Sequence, residues 1–582
     1  MFLSIVLSLV LSGAVYAQGL GDIETFSSLS VYLESKTGSV VKPSKNSLLS
    51  FRIDKERNVA TPILTERNPA LVHSLFETDV ERFIQNSGTA DFASAKRKFY
   101  QAQSFSESTQ TYSRPYVYPS DWHSLNHNPI RKFSLPLKMY GQQFAPLDSK
   151  SIEQSPLLGV ELHRRLDELT KTEMTAGNKL RFLSNGEISF KEKVRMVKES
   201  KRFFHSVVMV QYCDETSSEI IDAMIERAGA GIDVRLFVES VWTNLILKKC
   251  LKKLRSGGVK VTLGKGFFNP RTLFTVHHTK FWIRDGEEAI IGGQNMHDFE
   301  NSSTGFNNQT RDKDVHVVGP AVTDLINEYV RIWNDQRYND DPTMLAYKAL
   351  VVQKQGQERL MKLRGTDLYA SWLGQEVQNI PGVCRVLVQG TKTSSTPSII
   401  SKAYIEILKN VKYNMFIGSP TFRFSEDSTN EYDNSQIIKA ILAGGERGVK
   451  VDFISNGVDG GWGEAGHQLR NFARNLRRNG KMDTAQLIEK LELFVSTLIG
   501  RTQRKHLSKV VKGRNIEVWL YFNHIHSKQM MFDNIMTSTG SFNLDKYSYK
   551  NNESTMICLD KKLADESRMG FMSDVVNSVP IF

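Results

Sequence analysis

The sequence predicts an α/β protein in which a helix-covered sheet is built twice along one chain. Amphipathic helices alternate with apolar strands from about residue 180, and the same order begins again in the second half. A short pattern of polar residues also recurs near the end of each copy. Alternation of this kind packs helices against a sheet, and its repetition indicates an internal duplication.

Two segments without a catalytic pattern precede the first copy. Residues 1–17, MFLSIVLSLVLSGAVYA, form an apolar run with Val15 and Ala17 at −3 and −1 of a cut before Gln18. This run predicts a secretory signal peptide and an exported protein. The run lacks a basic start, and an uncleaved short anchor is the alternative. Residues 18–175 form an N-terminal accessory region of unknown role, for which we favour a packing extension over a separate binding module.

The first copy is expected over residues 176–345. The helix NGEISFKEKVRMVKESKR precedes the strand SVVMVQYC, and the helix SEIIDAMIERAGAG precedes the strand IDVRLFVES. The helix LKKCLKKLRSGG then leads to the strand VKVTLG. The helical segments carry apolar residues three and four apart, whereas the strands are short apolar runs.

The second copy is expected over residues 346–582 and repeats this order. AYIEILKNVK precedes the strand YNMFIGSP, and IIKAILAGGERG precedes VKVDFISNG. Gly231 in AGAGIDVRLFV aligns with Gly448 in GGERGVKVDFI, which supports a duplication. We expect the linker between the copies within residues 340–380. The second copy also contains extra basic material around residues 460–514, which is either a solvated face or a patch for an anionic surface.

One pattern, H-x-K-x4-D-x6-G-(G/S)-x-N, occurs once in each copy. Its residues are His278, Lys280, Asp285, Gly292 and Asn295 in the first copy and His526, Lys528, Asp533, Gly540 and Asn543 in the second. Residues two apart in a strand share a face, so each histidine and its lysine point the same way. Asp285-Gly286 and Asp533-Asn534 predict hairpin turns, after which the second strand returns each asparagine towards its histidine.

Two imidazoles, two ammonium groups and two amides suit a phosphate diester. The lysines and asparagines can hold the non-bridging oxygens and the charge that builds in the transition state. One histidine can attack phosphorus while the other protonates the leaving oxygen. No metal is needed if the lysines supply the positive charge.

This pair of motifs resembles the phospholipase D superfamily, and the resemblance covers about residues 180–582. It implies two α/β/α sandwich halves that share one active-site cleft, a covalent phosphohistidine, and no cofactor or metal. Because one chain carries both motifs, a single subunit can build the site. The residues that match the family's catalytic and phosphate-binding positions are His278, Lys280, Asn295, His526, Lys528 and Asn543, with a preference for His278 as the nucleophile.

The resemblance also assigns supporting roles. Gly293 and Ser541 match positions where a small residue lets the phosphate approach closely. Asp312 and Glu553 match the acidic residues that orient the histidines, and Asp314 competes with Asp312. Asp285 and Asp533 lie an odd number of residues from their histidines, which favours a structural role in the turn over a catalytic one. The histidines that flank the motifs are expected to pack or to be solvated: His277, His297, His316 and His524.

Composition narrows the partners without choosing one. The chain has 582 residues and a net charge of +12, which favours phospholipid headgroups, nucleic acid or an anionic membrane face. Beyond the first segment there is no run of eighteen apolar residues. The four cysteines match no zinc pattern. Cys384 and Cys558 could pair in an exported protein, and buried free thiols are the alternative.

The sequence GPAV after the first motif and N-L-D after the second resemble the bacterial cardiolipin synthase and phospholipase D branch. The predicted substrate is therefore a phospholipid, bound with peripheral contact to an anionic membrane surface. The predicted reaction passes its phosphatidyl group to water or to an alcohol. The alternative is an exported metal-independent nuclease that acts on nucleic acid with the same chemistry. A non-catalytic lipid-binding protein is the third hypothesis, and two intact motifs argue against it.

Overall fold

A computed structural model describes two short strands near the N-terminus and most of the chain from residue 146 onward. The described residues are 49–54, 59–64, 146–239, 248–264, 276–301, 310–335, 345–346, 350, 354–380, 382–390, 398–420, 434–455, 511–521, 525–545, 547–576 and 578–581. The predicted signal peptide, most of the accessory region, His524 and most of the basic stretch at 460–514 lie outside these ranges.

The strands fall into a small hairpin and two larger sets. The hairpin pairs β1 (Leu49–Asp54) with β2 (Val59–Leu64). The first set consists of β3 (Thr175–Leu183), β4 (Phe203–Val208), β5 (Asp233–Glu239), β6 (Lys260–Gly264), β7 (Phe281–Arg284), β8 (Glu288–Gly292) and β9 (Asp314–Val318). The second consists of β10 (Gly382–Gln389), β11 (Asn414–Gly418), β12 (Lys450–Ser455), β13 (Ile516–Tyr521), β14 (Gln529–Phe532), β15 (Met536–Gly540), β16 (Glu553–Leu559) and β17 (Ser578–Ile581).

Helices precede or connect these strands. Those up to the end of the first half are α1 (Ser149–Glu153), α2 (Val160–Thr170), α3 (Gly186–Lys198), α4 (Glu215–Gly229), α5 (Lys248–Ser256), α6 (Asp298–Asn301) and α7 (Ala321–Trp333). The later ones are α8 (Lys354–Met361), α9 (Tyr369–Leu373), α10 (Ile399–Asn410), α11 (Asn434–Glu446) and α12 (Lys561–Val576). Short 3₁₀ turns lie at Pro156–Leu158, Thr366–Leu368 and Val377–Asn379.

The two larger sets form one 15-stranded sheet with internal symmetry. Its order is β17-β13-β12-β11-β14-β15-β16-β10-β3-β9-β8-β7-β4-β5-β6. Read outward from the antiparallel pair β3–β10, both sides pass through equivalent strands, and β17 is added beyond β13. Gly231 and Gly448 both have φ near +90° and each lies two residues before an equivalent strand, as the sequence alignment implies.

Both faces of each half are covered by helices, which confirms the predicted α/β fold. In the first half, Phe204 and Val208 pack with α3, α4 and α5, while Phe203 and Val207 pack with α7 on the opposite face. In the second half, Met415 and Ile417 pack with α10 and α11, and Phe416 packs with α12. Successive strand residues point to opposite faces, so these apolar runs are buried on both sides.

The halves are joined by a shared core and by chain segments that reach across. One apolar cluster combines Val207 and Phe281 of the first half with Val386 and Met556 of the second. Helices α1 and α2, which fall within the predicted accessory region, bury apolar side chains in the core of the second half. Residues 149–170 therefore act as a packing extension of that half. The domain boundaries predicted from the sequence stay a prediction.

Both pairs of cysteines are joined as disulfides. Cys384 and Cys558 lie directly opposite each other on β10 and β16, with Cα atoms 4.1 Å apart. Cys213 and Cys250 connect the segment before α4 to α5, with Cα atoms 5.8 Å apart. The sequence had suggested only the first pairing, with free thiols as the alternative.

Across the ranges that the structure describes, no helix combines the length and the apolar character needed to cross a lipid bilayer.

The motif aspartates occupy the tight turns of the hairpins β7–β8 and β14–β15. Asp285 and Asp533 have φ of 54° and 46°, in the left-handed region. The Asp285 carboxylate accepts hydrogen bonds from the backbone amides of residues 201, 202 and 203, at 2.7–2.9 Å. Asp533 binds the amides of residues 412–414 in the same way and also accepts from Ser155 Oγ at 2.6 Å. Each aspartate thus ties its turn to the start of β4 or β11.

We expect Asp285→Ala to lower the free energy of unfolding by about 3 kcal/mol, because three backbone amides, that of Phe203 buried and the other two partly buried, lose a charged acceptor. Asp285→Asn is the matched control, since asparagine tolerates the left-handed conformation and keeps an acceptor oxygen. Thermal unfolding monitored by circular dichroism measures both. Equal midpoints for Asp285→Ala and the wild type would contradict this structural role.

Candidate active site

The two motif histidines lie just before β7 and β14, next to the line where the halves meet. His278 and His526 are largely buried, with side chains 9% and 14% exposed. Lys280 Nζ donates to the carbonyl oxygen of His278 at 2.5 Å, and Lys528 Nζ donates likewise to His526. The prediction that each His–Lys pair lies within a strand is wrong, because both residues of each pair precede β7 or β14; each ammonium group is nevertheless held at the backbone of its own histidine.

Each histidine is held by a carboxylate from the opposite half. His278 Nδ1 lies 3.0 Å from Glu553 Oε2, and His526 Nδ1 lies 2.7 Å from Asp312 Oδ2. Glu553 begins β16 of the second half, whereas Asp312 precedes β9 of the first. The structure thus brings both predicted orienting residues to the histidines, and it exchanges them between the copies.

Backbone hydrogen bonds follow the same exchange. The His278 amide donates to the carbonyl of Asn552, and the His526 amide donates to the carbonyl of Arg311, at 2.9 and 2.7 Å. In each case the acceptor immediately precedes the carboxylate that binds the ring. Asp314, the competing choice, instead pairs with the buried Lys193 at 2.7 Å.

This geometry fixes the tautomer of each imidazole. A carboxylate at Nδ1 accepts the Nδ1 proton, so the neutral ring carries its lone pair on Nε2. The same arrangement orients a catalytic histidine and stabilises its cationic form in hydrolase triads. Each half therefore supplies a ring that can act as a nucleophile or as a proton carrier through Nε2.

Burial sets the charge state of the first motif. It lowers the pKa of His278 to about 4, with Lys280 and Lys528 acting in the same direction and Glu553 opposing them. Burial also lowers the pKa of Lys280 to about 7, aided by the nearby Lys528 and opposed by Glu553, Glu300 and Asp312. His278 is therefore neutral at pH 7, as a nitrogen nucleophile must be.

The motif asparagines return towards the site, but their immediate partners differ. Asn295 Oδ1 accepts from the backbone amide of Val210 at 3.1 Å, and its Nδ2 donates to Glu300 Oε1 at 3.1 Å. The backbone amide of Asn543 donates to Ser548 Oγ at 2.9 Å. Phosphate binding by either asparagine stays a prediction.

Gly293 and Ser541 contact the orienting carboxylates. A Cβ atom at Gly293 would lie 2.5 Å from Asp312 Oδ1, so glycine lets the chain pass this carboxylate. Ser541 Oγ donates to Glu553 Oε2. The small residues at these two positions therefore allow close contact with the carboxylates of Asp312 and Glu553. The close approach of a phosphate to them stays a prediction.

One buried residue of the site, Glu300, is not predicted from the sequence. Glu300 Oε1 lies 3.4 Å from His526 Nδ1 and 3.1 Å from His297 Nε2. Burial alone would raise the pKa of Glu300, but the imidazoles of His526 and His297 hold it well below its usual range. The sequence shows only that the copies differ at this position, because Glu300 follows Asn295 by five residues, where Ser548 follows Asn543.

Two groups in the described ranges bring two carboxylates and a histidine within 4.8 Å of one another. In the group Glu192, Glu288 and His316, arginine side chains pair with both carboxylates. In the group Glu300, Asp312 and His526, the last two already bind each other at 2.7 Å. These carboxylates thus have protein cations or imidazoles as partners, and independence of a metal stays a prediction.

The other flanking histidines have local partners. His277 lies 2.9 Å from Asn552 Nδ2, and His316 Nε2 lies 2.6 Å from Glu288. His297 differs from them, because its contact with Glu300 brings it next to the site.

The sheet is duplicated, and each motif histidine pairs with a carboxylate of the opposite half. These features define a class of proteins in which two motifs of one chain build one site. The profile of the family described as "Cardiolipin synthase, PLD-like domain" matches residues 194–333 and 404–575, more than half of the chain. The chain belongs to this family, which confirms the resemblance to the phospholipase D superfamily and to its cardiolipin synthase branch.

Curated relatives carry the same name at low identity. "Cardiolipin synthase 1" of Bacillus cereus is 22% identical over 46% of this chain and 50% of its own length. The "Cardiolipin synthase" of Clostridium perfringens strain SM101 is 21% identical over 66% of this chain and 68% of its own. The chain spans about half the length of the curated Bacillus relatives it matches.

Among solved structures, the phosphatidylserine synthase of Haemophilus influenzae Rd KW20 aligns over 72% of this chain and 92% of its own. The TM-score of this alignment is 0.46, at 14% identity.

We expect kcat/KM for a soluble phosphodiester to fall on both sides of neutrality. Because burial lowers the pKa of His278 to about 4, its nucleophilic lone pair is lost as pH falls through about 4. Because the pKa of Lys280 is about 7, its ammonium charge is lost as pH rises through about 7. A pH profile of kcat/KM measures both limbs. A rate that stays constant from pH 3 to 9 would contradict the assignment.

Proposed function

We propose that this protein cleaves the headgroup phosphodiester of phospholipids and transfers the phosphatidyl group to water or to an alcohol through a covalent phosphohistidine. The observation that carries this proposal is the exchanged pair of contacts, His278 with Glu553 and His526 with Asp312. These contacts support two imidazoles of fixed tautomer, and the effect of Lys528 on the pKa of His278 supports one shared site. Membership of the cardiolipin synthase family supports the phosphatidyl group as the unit transferred.

The first step forms the enzyme intermediate. His278 Nε2 attacks phosphorus, the bond from phosphorus to the headgroup oxygen breaks, and cationic His526 gives its Nε2 proton to that oxygen. Glu553 stabilises the positive charge that develops on His278. Lys280 and Lys528 offset the negative charge of the phosphoryl oxygens.

The second step reverses the roles of proton donor and acceptor. Water or an alcohol attacks phosphorus, its proton passes to the neutral His526, and the phosphorus–nitrogen bond to His278 breaks. Water yields phosphatidic acid, and an alcohol yields a new phosphatidyl ester. The same residues serve both outcomes, so the acceptor that reaches the site decides between hydrolysis and transfer.

Charge and composition support contact with an anionic membrane. The chain carries a net charge of +12, and helix α5 exposes Lys252 and Lys253. Basic helical surface adds electrostatic attraction to anionic lipid. No observation in the described site favours nucleic acid as the substrate. The assay below tests the nuclease alternative with DNA.

We expect wild-type protein to release phosphatidic acid, or a phosphatidyl-alcohol when glycerol or ethanol is present, from phosphatidylglycerol vesicles. Phosphatidylethanolamine vesicles and single-stranded DNA serve as parallel substrates. His526→Ala and His278→Ala should each lose at least about 100-fold in kcat, because each removes a group that transfers a proton or attacks phosphorus. Chromatography of the lipid products measures the reaction, and activity should survive a chelator.

The stability of the trapped adduct in acid and in alkali tests whether the intermediate is a phosphohistidine. Phosphohistidine survives alkali and is lost in acid, so rapid quenching in base followed by peptide mass spectrometry should find a glycerophosphoryl group, left after the base has cleaved the acyl esters, on the peptide that carries His278. DNA cleavage with inert lipids would favour the nuclease, and loss of activity in chelator would overturn the metal-independent mechanism.

We also propose that the protein is exported. Support comes from the apolar segment at residues 1–17 and from the disulfides Cys213–Cys250 and Cys384–Cys558. Disulfides form and persist in oxidising compartments and are rare in the cytosol.

We expect peptide mapping without reduction to find both disulfide-linked peptides in protein isolated from its native host. The N-terminus of the mature chain, determined in the same experiment, should be Gln18. Free thiols at all four cysteines in freshly alkylated cells would contradict export.

A further inference from the structure

The two halves depart from their symmetry five residues after each motif asparagine. In the second half, Ser548 Oγ accepts the backbone amide of Asn543 at 2.9 Å. In the first half, a carboxylate oxygen of Glu300 accepts the equivalent backbone amide of Asn295. Both residues therefore close the same turn, but only Glu300 carries a charge.

Glu300 does more than close the turn, because its side chain reaches the opposite half. Its Oε1 accepts from Asn295 Nδ2 at 3.1 Å and lies 3.4 Å from His526 Nδ1. The residue is 4% exposed, so water screens this charge poorly. His526 consequently faces two buried carboxylates at Nδ1, those of Asp312 and Glu300.

His278 has a different set of neighbours. Its Nδ1 faces Glu553, and Glu553 Oε2 also accepts a hydrogen bond from Ser541 Oγ. The equivalent position next to Asp312 is Gly293, which offers no such donor. Among the residues that the structure describes, one imidazole thus faces two anions, whereas the other faces a single anion that a hydroxyl already binds.

These differences act in one direction. A nearby anion stabilises the imidazolium, and a second anion stabilises it further, while a hydroxyl that binds the carboxylate weakens its pull on the ring. A general acid must hold its proton until the leaving oxygen needs it, whereas a nitrogen nucleophile must be neutral.

We propose that Glu300 is a positioning residue that divides the work between the two histidines: its second carboxylate makes His526 the proton donor and leaves His278 as the nucleophile. This inference rests on the proposed function, because it assigns roles within that reaction. Glu300 exchanges no proton with the substrate and forms no bond to it. It acts through His526, whose Nε2 proton passes to the leaving oxygen in the first step.

The other charged groups around His526 in the described residues are few. Asp312 binds its ring, Lys528 contacts its carbonyl oxygen, and His297 shares Glu300 with it. Lys280 lies within the electrostatic reach of both Asp312 and Glu300. A test must therefore separate an effect on His526 from an effect on the lysines.

The dependence of the rate on the leaving group distinguishes an effect on His526 from an effect on the lysines. An alkoxide leaving group needs a proton from a general acid, whereas p-nitrophenolate leaves without one. Loss of an ammonium group would lower the rate for substrates with either kind of leaving group. We expect Glu300→Gln and Glu300→Ser to lower kcat at least about tenfold for short-chain phosphatidylglycerol, because loss of one of the two carboxylates beside His526 removes part of a general-acid contribution of about 100-fold or more. The p-nitrophenyl ester of phosphatidic acid should be turned over within about twofold of the wild type.

The two substitutions and one control distinguish charge from shape. Glu300→Gln keeps the size of the side chain and removes the charge, and Glu300→Ser reproduces Ser548. Ser548→Ala removes the equivalent turn contact in the other half and should affect both substrates equally. If Glu300→Gln turns over phosphatidylglycerol as fast as the wild type, Glu300 has only a structural role and the proposal fails.

A second measurement needs no turnover. In protein labelled with ¹³C-histidine, the ring signals of His526 at a fixed pH should change more in Glu300→Gln than those of His278, because Glu300 Oε1 lies 3.4 Å from His526 Nδ1. The signals are assigned with His526→Ala. Unchanged His526 signals would overturn the inference even if the enzyme is active. Wild-type protein that turns over neither lipid would overturn the proposed function, and these spectra would still report on Glu300.

Discussion

The site depends on an exchange of carboxylates between the two halves. Glu553 of the second half binds His278 of the first, and Asp312 of the first binds His526 of the second. Both carboxylates are fully buried, and an unpaired buried charge costs several kcal/mol. Neither half can therefore bury its own acid at low cost without the other half in place. The exchange couples the formation of the site to the assembly of the whole sheet.

The symmetry of the sheet makes this exchange possible. Because β3 and β10 pair in antiparallel fashion at its centre, equivalent strands of the two copies run outward in opposite order. The motif hairpins then approach the same line from both sides, and each histidine amide reaches the carbonyl of the residue before its partner acid. Asp285 and Asp533 bind the backbone at the start of β4 and β11, and these hydrogen bonds hold the hairpins in position beside the site. The apolar cluster shared between the halves holds the arrangement together.

A symmetrical scaffold would give two equivalent histidines, but the reaction needs one nucleophile and one acid. In the mechanism that we propose, differences between the side chains behind the two histidines supply the distinction. Serine stands at 541 where the first copy has Gly293, and glutamate stands at 300 where the second copy has Ser548. Both differences lie outside the sheet, Ser541 directly after β15 and Glu300 in the short helix α6, so they change the electrostatics of a ring without disturbing the hydrogen-bonded sheet. Duplication thus accounts for the paired geometry, and the differences at these positions carry the roles that we propose for the two histidines.

The sequence by itself determined the class of fold, the duplication and the two motifs, because short apolar strand segments, period-3.6 helices and identical offsets are local properties of the chain. It also pointed to Asp312 and Glu553 as orienting acids through family resemblance. Only the tertiary structure decided which acid binds which histidine, since that pairing joins residues more than 200 positions apart. It likewise revealed the contact of Glu300 with His526, the packing of residues 149–170 on the second half and the pairing of Cys213 with Cys250. Such contacts arise from how strands are ordered in the sheet, and no local pattern encodes that order.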